Sequence, residues 1–239
     1  MRQVFYRTAL AATALLSLTT VCFRPAAAME ARIVEDQLIL SGPVVDTDVV
    51  RVKDALENPA ITTVILRNSP GGDSPTGYRI GELIRQHGLR TAVSGFCYSS
   101  CSRLFLGGRT RYFTDDFPPE KTNVGFHGHY QADGLLDQVS VKRYGLRDWI
   151  IRYSDGRADP DLIDRWINLP VNWGMIHFYN PARVSRGGIS TFMCDGMETS
   201  HAIASCEPIR KTALDLGIVT SLDLIHSADQ ARLQVAQVR

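Results

Sequence analysis

The sequence predicts an α/β fold, a mostly parallel sheet covered by helices. Three observations predict it. The β-branched run Thr62-Thr63-Val64-Ile65-Leu66 has the composition of a buried strand. Helical spacing precedes it over residues 47–57 and follows it over 78–87. A further short strand at 90–93 is followed by another helical stretch, so strand and helix alternate in short units.

Each element follows from local pattern. Residues 31–42 alternate in the manner of a strand through Ile33, Leu38 and Leu40, and end at Gly42-Pro43. In 47–57, Val49, Val52 and Leu56 share one helical side. The strand at 62–66 stops at Asn68-Ser69-Pro70-Gly71-Gly72, a loop that needs glycine conformations. The helix at 78–87 is closed by Gly88. Residues 95–99 form a turn, and a third helix at 100–106 ends at Gly107-Gly108. The charged stretch 131–170 is helix-capable and carries Trp149 and Trp166. Within it Asp155-Gly156-Arg157 reads as a turn and Asp159-Pro160 as a helix start. Residues 181–207, rich in Gly, Ser and Cys, read as a long loop. A last core helix is expected at 209–216, capped by Gly217.

The N-terminus has the three-part layout of a secretory leader. Arg2 and Arg7 give a positive start, 8–23 is apolar and uncharged, and Ala26-Ala27-Ala28 offers small residues for cleavage. The apolar run is short for a span of about 20 residues. The expected organisation is a signal peptide at 1–28 and a single domain at 29–239, exported to the periplasm or secreted. The leader removes three arginines and no acid from a chain of formal charge +1, leaving −2. That balance gives no footprint for nucleic acid or for an anionic membrane surface. No second long apolar run follows, so no membrane association is expected after cleavage.

Four cysteines remain past the leader: Cys97, Cys101, Cys194 and Cys206. An even number in an exported chain favours disulfides. Three connectivities are open, with local pairing, Cys97–Cys101 and Cys194–Cys206, the first choice. A zinc site is the rival reading, and the spacings are not those of paired CxxC motifs. No phosphate-binding loop of the GxxxxGK[ST] type is present. No metal and no cofactor is expected.

Two loops have the chemistry of acyl transfer. Ser69-Pro70-Gly71-Gly72 lets backbone N–H groups approach a ligand, as an oxyanion hole requires. Gly95-Phe96-Cys97-Tyr98-Ser99-Ser100 places a serine where a strand turns into a helix. Both loops follow strand ends expected at one edge of the sheet, where ligands of parallel sheets bind. Ser99 also suits a plain helix N-cap. A serine nucleophile needs a base, and Asn123-Val124-Gly125-Phe126-His127 supplies an imidazole, with His129 as the alternative. His177, His201 and His226 have no partner pattern around them.

These residues resemble the serine peptidases of the caseinolytic Clp type, within the Clp/crotonase superfamily. The likeness runs from about residue 61 to 127 and resumes faintly at 213–219. Asn-Ser-Pro-Gly-Gly at 68–72 resembles the family's glycine loop, Gly95 followed by Ser99 its nucleophile turn, and Gly107-Gly108 with Arg111 the next signature. Phe126-His127 is similar to the strand bearing its catalytic histidine. The resemblance implies a Clp/crotonase-like fold, Ser99 as nucleophile and His127 as general base, with the N–H groups of Gly72 and Ser100 as oxyanion donors. It also implies a peptide or protein substrate and a homo-oligomer.

The departures are the leader, the cysteines around Ser99, the inserted Asp115-Asp116-Phe117-Pro118-Pro119 and the acid. The family's aspartate would fall near Ser205, beside Cys206 and Glu207. Asp195 is taken as the third catalytic member, with Glu198 and Glu207 as the other acids nearby. The expected function is an exported serine hydrolase, most simply an endopeptidase. A non-catalytic binding module on the same fold is the alternative. A crotonase-like acyl-thioester enzyme is disfavoured by export.

Overall fold

The computed structural model describes residues 28–184, 186–198 and 203–228. The expected leader, apart from Ala28, lies outside the described residues, as does His201. Among the described residues no helix is long and apolar enough to cross a membrane.

The order is β1 (Glu30–Val34), β2 (Gln37–Ser41), α1 (Asp48–Leu56), β3 (Thr63–Ser69), α2 (Ser74–Gln86), β4 (Arg90–Tyr98), α3 (Ser100–Gly107), β5 (Thr110–Thr114) and β6 (Asn123–Phe126). Then follow α4 (Gln138–Arg143), α5 (Leu146–Tyr153), α6 (Pro160–Ile167), β7 (Met175–Tyr179), β8 (Thr191–Cys194), β9 (Glu207–Ile209) and β10 (Leu224–Ile225). The strands form one mixed sheet in the order β1-β2-β3-β4-β6-β7-β8-β9.

The expected parallel part runs from β2 to β6. β2, β3, β4 and β6 pair parallel in turn, with α1 and α2 as crossovers. Thr63, Val64, Ile65 and Leu66 are buried on both faces, so the run shows no alternation with polar residues. Leu38, Leu40, Val64, Leu66 and Val93 face the large core under the helices. Ile39, Ile65 and Ala92 face a smaller cluster with Val34 and Ala228.

β4 forks the sheet. Its first half, Arg90 to Val93, pairs with β5, and its second half, Phe96 to Tyr98, pairs with β6. Between them the strand turns at Gly95, φ +73°, opposite a register shift in β3 at Asn68. Arg67 closes the fork, donating to Ser94 Oγ and to the buried Asp116 carboxylate, which also accepts from Ser94 and Thr114. The inserted segment is thus held to the sheet by Asp116.

α3 is buried at every residue because α2 lies directly on it. A Cβ on Gly77 would come within 2.8 Å of the Ser100 carbonyl oxygen, and one on Gly81 within 2.6 Å of that of Arg103. These two glycines, one helical turn apart, let the backbones approach. Arg85 of α2 caps the far end, donating to the carbonyls of Leu106 and Gly107.

Several expectations are corrected. The strand read at 31–42 is a hairpin, β1 against β2. α2 begins four residues earlier than expected, because Asp73 caps it by accepting the Thr76 N–H and Pro75 stands in its first turn. β4 continues to Tyr98, so most of the region read as a turn is strand and the turn is confined to Ser99. Beyond β6 the sheet is antiparallel, and the loop read at 181–207 contains β8. The helix expected at 209–216 is a single turn. Pro208 and Ile209 pair with β8, Thr212 and Asp215 close the turn on each other, and Gly217 ends it at φ +64°. Too few residues remain to propagate a helix. Ala213 and Leu216 are nevertheless core, as expected of that stretch, and Ile218 and Val219 after it are core as well.

That turn is fastened by Arg111, which is fully buried. It donates to the carbonyls of Gly108, Gly217 and Ile218 and to Asp155. Removing the guanidinium would orphan three buried acceptors, so Arg111→Met should cost about 3 kcal/mol. Urea denaturation measures it; an unchanged midpoint would contradict this role.

Candidate active site

Ser99 stands between the end of β4 and the start of α3 at φ +54°, ψ −125°. That conformation is costly for a residue with a Cβ and persists only when its surroundings enforce it. Its backbone is bonded on both sides: the N–H donates to Gly125 O (3.2 Å), and its carbonyl accepts from Ser102 N (3.0 Å) and Ser102 Oγ (2.6 Å). Its side chain makes no capping bond. Ser99 therefore occupies the N-cap position without acting as an N-cap, and its hydroxyl stands clear at a sharp strand-to-helix turn.

The glycine loop lies against this turn. A Cβ on Gly71 would fall 2.6 Å from Ser99 Cβ, 2.5 Å from Tyr98 O and 2.9 Å from Ser100 N. Only a residue without a side chain fits there. The loop is held in turn by Val44, whose N–H donates to Gly71 O and whose carbonyl accepts from Asp73 N, both at 2.9 Å. The N–H groups of Gly72 and Ser100 have no backbone acceptor among the described residues. Ser100 opens α3, so its N–H also carries the positive end of the helix dipole.

Cys97 and Cys101 are paired across the elbow, Cα–Cα 5.3 Å, and Cys194 with Cys206, Cα–Cα 4.6 Å. Both are the local pairings. The first ties the last turn of strand to the first turn of helix with Ser99 between them. Cys194, Cys206 and Glu198 cluster within 4.8 Å. With both sulfurs in a disulfide, that cluster offers no thiolate to a metal.

His127 follows β6, two residues past the Gly125 that holds Ser99. It is 7% exposed, and its ring lies on Tyr130 with centroids 4.7 Å apart. Nδ1 has no hydrogen-bond partner, and no hydrogen bond joins the ring to Ser99 among the described residues. Burial, then the positive charge of Arg103, pushes its pKa down to about 3; the carbonyls of Gly174 and Asn172 oppose this weakly. His129, the alternative base, is engaged elsewhere. Its Nε2 lies 2.9 Å from the Tyr78 hydroxyl, and burial followed by Arg103 lowers it to about 3. His177 pairs through Nδ1 with Asn123 Oδ1 at 3.0 Å, and the exposed His226 pairs with Asp115.

The acids have partners other than the imidazole. Asp195 is exposed, and its carboxylate accepts the Met197 N–H at 2.7 Å. Glu198 accepts the N–H groups of Asp195 and Gly196, and Glu207 pairs with Arg165. All three line an open cavity of about 390 Å³ beside Cys206. None is bonded to His127. The sequence reading also passed over Arg103, a charge inside the apolar stretch Ser-Cys-Ser-Arg-Leu-Phe-Leu. Its spacing, one turn past Ser99, was the available signal.

No family model and no curated protein matches the chain. Among solved structures, ClpP1 from Listeria monocytogenes is similar over 82% of this chain and 94% of its own, with 15% identity and a TM-score of 0.49. A point mutant of that protein is similar over the same shares, with 14% identity and a TM-score of 0.48.

The depressed histidines set a pH dependence. Above pH 6.5 the folded and unfolded chains both hold neutral imidazoles. Below it the unfolded chain takes up protons that His127 and His129 refuse until about pH 3, so stability falls across that window. The loss should reach up to about 1.4 kcal/mol per pH unit for each ring. Urea midpoints measured from pH 7 to pH 4 should decline, and less steeply in His129→Gln. A flat profile would contradict the buried neutral rings.

Proposed function

We propose that the protein is an exported serine hydrolase acting on peptide or protein substrates. The observation that carries this reading is Ser99: a non-glycine residue held at φ +54° between strand and helix, hydroxyl uncapped, with Gly71 in contact beneath it. A structural N-cap needs neither the strain nor the adjoining glycine loop. The two disulfides suit an oxidising compartment.

In this reading Ser99 Oγ attacks the substrate carbonyl carbon. His127, neutral at ordinary pH, accepts the hydroxyl proton and returns it to the leaving amine as the carbonyl reforms. Water then hydrolyses the acyl-enzyme by the same route. The N–H groups of Gly72 and Ser100 hold the oxyanion, which forms at the N-terminus of α3. Asp195 stays outside this machinery, engaged in its own turn.

A second reading, a non-catalytic binding module on this fold, is favoured by one observation: His127 Nδ1 has no acid to orient it. Fluorophosphonate labelling with mass mapping separates the two. The hydrolase reading expects an adduct at Ser99, absent in Ser99→Ala and at least about tenfold slower in His127→Ala. An unmodified Ser99 in the oxidised protein would leave the binding module. Breaking the Cys97–Cys101 tie should loosen the turn: Cys97→Ala with Cys101→Ala is expected to lose about 2 kcal/mol of stability and to slow labelling. Labelling at the wild-type rate would show that the disulfide does not brace the elbow.

A further inference from the structure

Among the described residues two arginines are fully buried, and they differ in one respect. Arg111 finds three carbonyls and a carboxylate. Arg103, 2% exposed on α3 one turn after Ser99, finds neither carbonyl nor carboxylate: Nε and both terminal nitrogens lack a hydrogen-bond partner of good geometry among the described residues, and only Tyr78 interacts with it. The nearest approach to one is Tyr78, over whose ring the guanidinium lies, 5.3 Å from the centroid. A cation–π contact offsets only part of the cost of burying a guanidinium with five N–H donors.

Other unpartnered groups surround it. Ser100 Oγ and His127 Nδ1 are buried and also lack partners. Ser100 and Arg103 stand three residues apart on the same side of α3, both against Gly77. Tyr78 under the guanidinium meets His129 through its hydroxyl, and the Arg103 charge is felt by His127 and Tyr130, whose rings lie on each other. One acid stands at its edge: Asp137, whose N–H donates to the His129 carbonyl and whose charge is felt by that ring; no carboxylate is hydrogen-bonded to Arg103 or to His127 Nδ1 among the described residues.

We propose that Arg103, with Ser100 and His127, forms a carboxylate-binding subsite, and that the bound carboxylate is the acid this active site otherwise lacks. The carboxylate takes the guanidinium fork through its two oxygens and accepts the Nδ1–H of His127. It thereby fixes the tautomer that leaves Nε2 free to act as base, and it neutralises the charge that opposes protonation of the ring. Its source is a small free acid or a carboxylate carried by the substrate. The catalytic consequence rests on the hydrolase reading; the binding does not.

The test is thermal denaturation of the full oxidised chain with sodium acetate, against sodium chloride at equal ionic strength. A short peptide with a free C-terminus and its C-terminal amide serve in parallel, in the Ser99→Ala variant so that neither is cleaved. Acetate or the free-acid peptide should raise Tm saturably, and chloride and the amide should not. A response to acetate alone identifies a small acid; a stronger response to the peptide identifies the substrate. Arg103→Met should weaken carboxylate binding at least about tenfold and raise the ligand-free Tm, because an uncompensated charge is gone. Arg103→Lys should keep a weakened response, so a folding defect in the Met variant leaves the test intact. A wild type indifferent to both carboxylates would overturn the proposal, as would an Arg103→Met or Arg103→Lys protein that folds and keeps the full wild-type carboxylate response. A carboxylate response without any fluorophosphonate adduct would sink the hydrolase reading and leave the subsite standing.

Discussion

The contact between Gly71 and Ser99 is the constraint on which the candidate site depends. Three distances below 3 Å from a Cβ that is not there mean that the loop after β3 and the turn after β4 are built as one object. The parallel pairing of β3 with β4 brings the two strand ends together, and Val44 holds the loop from the other side. β6 then pairs with the second half of β4 and takes the Ser99 N–H at Gly125, so the segment leading to His127 is registered against the same turn. The Cys97–Cys101 disulfide closes that turn covalently. The strain at Ser99 is held by Gly71, by its bonds to Gly125 and Ser102 and by the disulfide around it, and not by its own sequence preference.

The parallel half of the fold was legible because its signals are local. The β-branched run at β3, the glycine loop and the strand-to-helix turn each state their conformation in a few residues. The local cysteine pairing follows the same logic, since both partners lie within one supersecondary unit. The antiparallel half was less legible. β8 sits in a Gly- and Ser-rich stretch and is a strand because β7 and β9 pair with it on either side. The helix expected near 209–216 failed for a related reason: its apolar spacing is real and its residues are buried, but strand pairing takes its start and Gly217 its end.

Within the site, Ser99 and the glycine loop could be read from sequence, and the electrostatics could not. Whether a histidine is free or engaged depends on what folds against it. Tyr78, distant in sequence, takes His129, and Asn123 takes His177. The acids near Cys206 looked available because sequence does not show that they close a turn and pair with Arg165. The most consequential charge is Arg103. It lowers both neighbouring imidazoles, and it sits in a helix whose apolar composition hides it. Set against Arg111, it marks the difference between a buried cation that holds a fold together and one whose counter-charge has still to arrive.

The central claim is that Ser99 is a nucleophile facing two backbone donors. A crystal structure of the fluorophosphonate-treated protein tests it most directly. The account predicts phosphorus bonded to Ser99 Oγ, a phosphonyl oxygen about 2.7–3.1 Å from the N–H nitrogens of Gly72 and Ser100, and His127 Nε2 within hydrogen-bond reach of Oγ. An unmodified Ser99 with its hydroxyl capping α3, or an adduct whose oxygen points away from both donors, would contradict it.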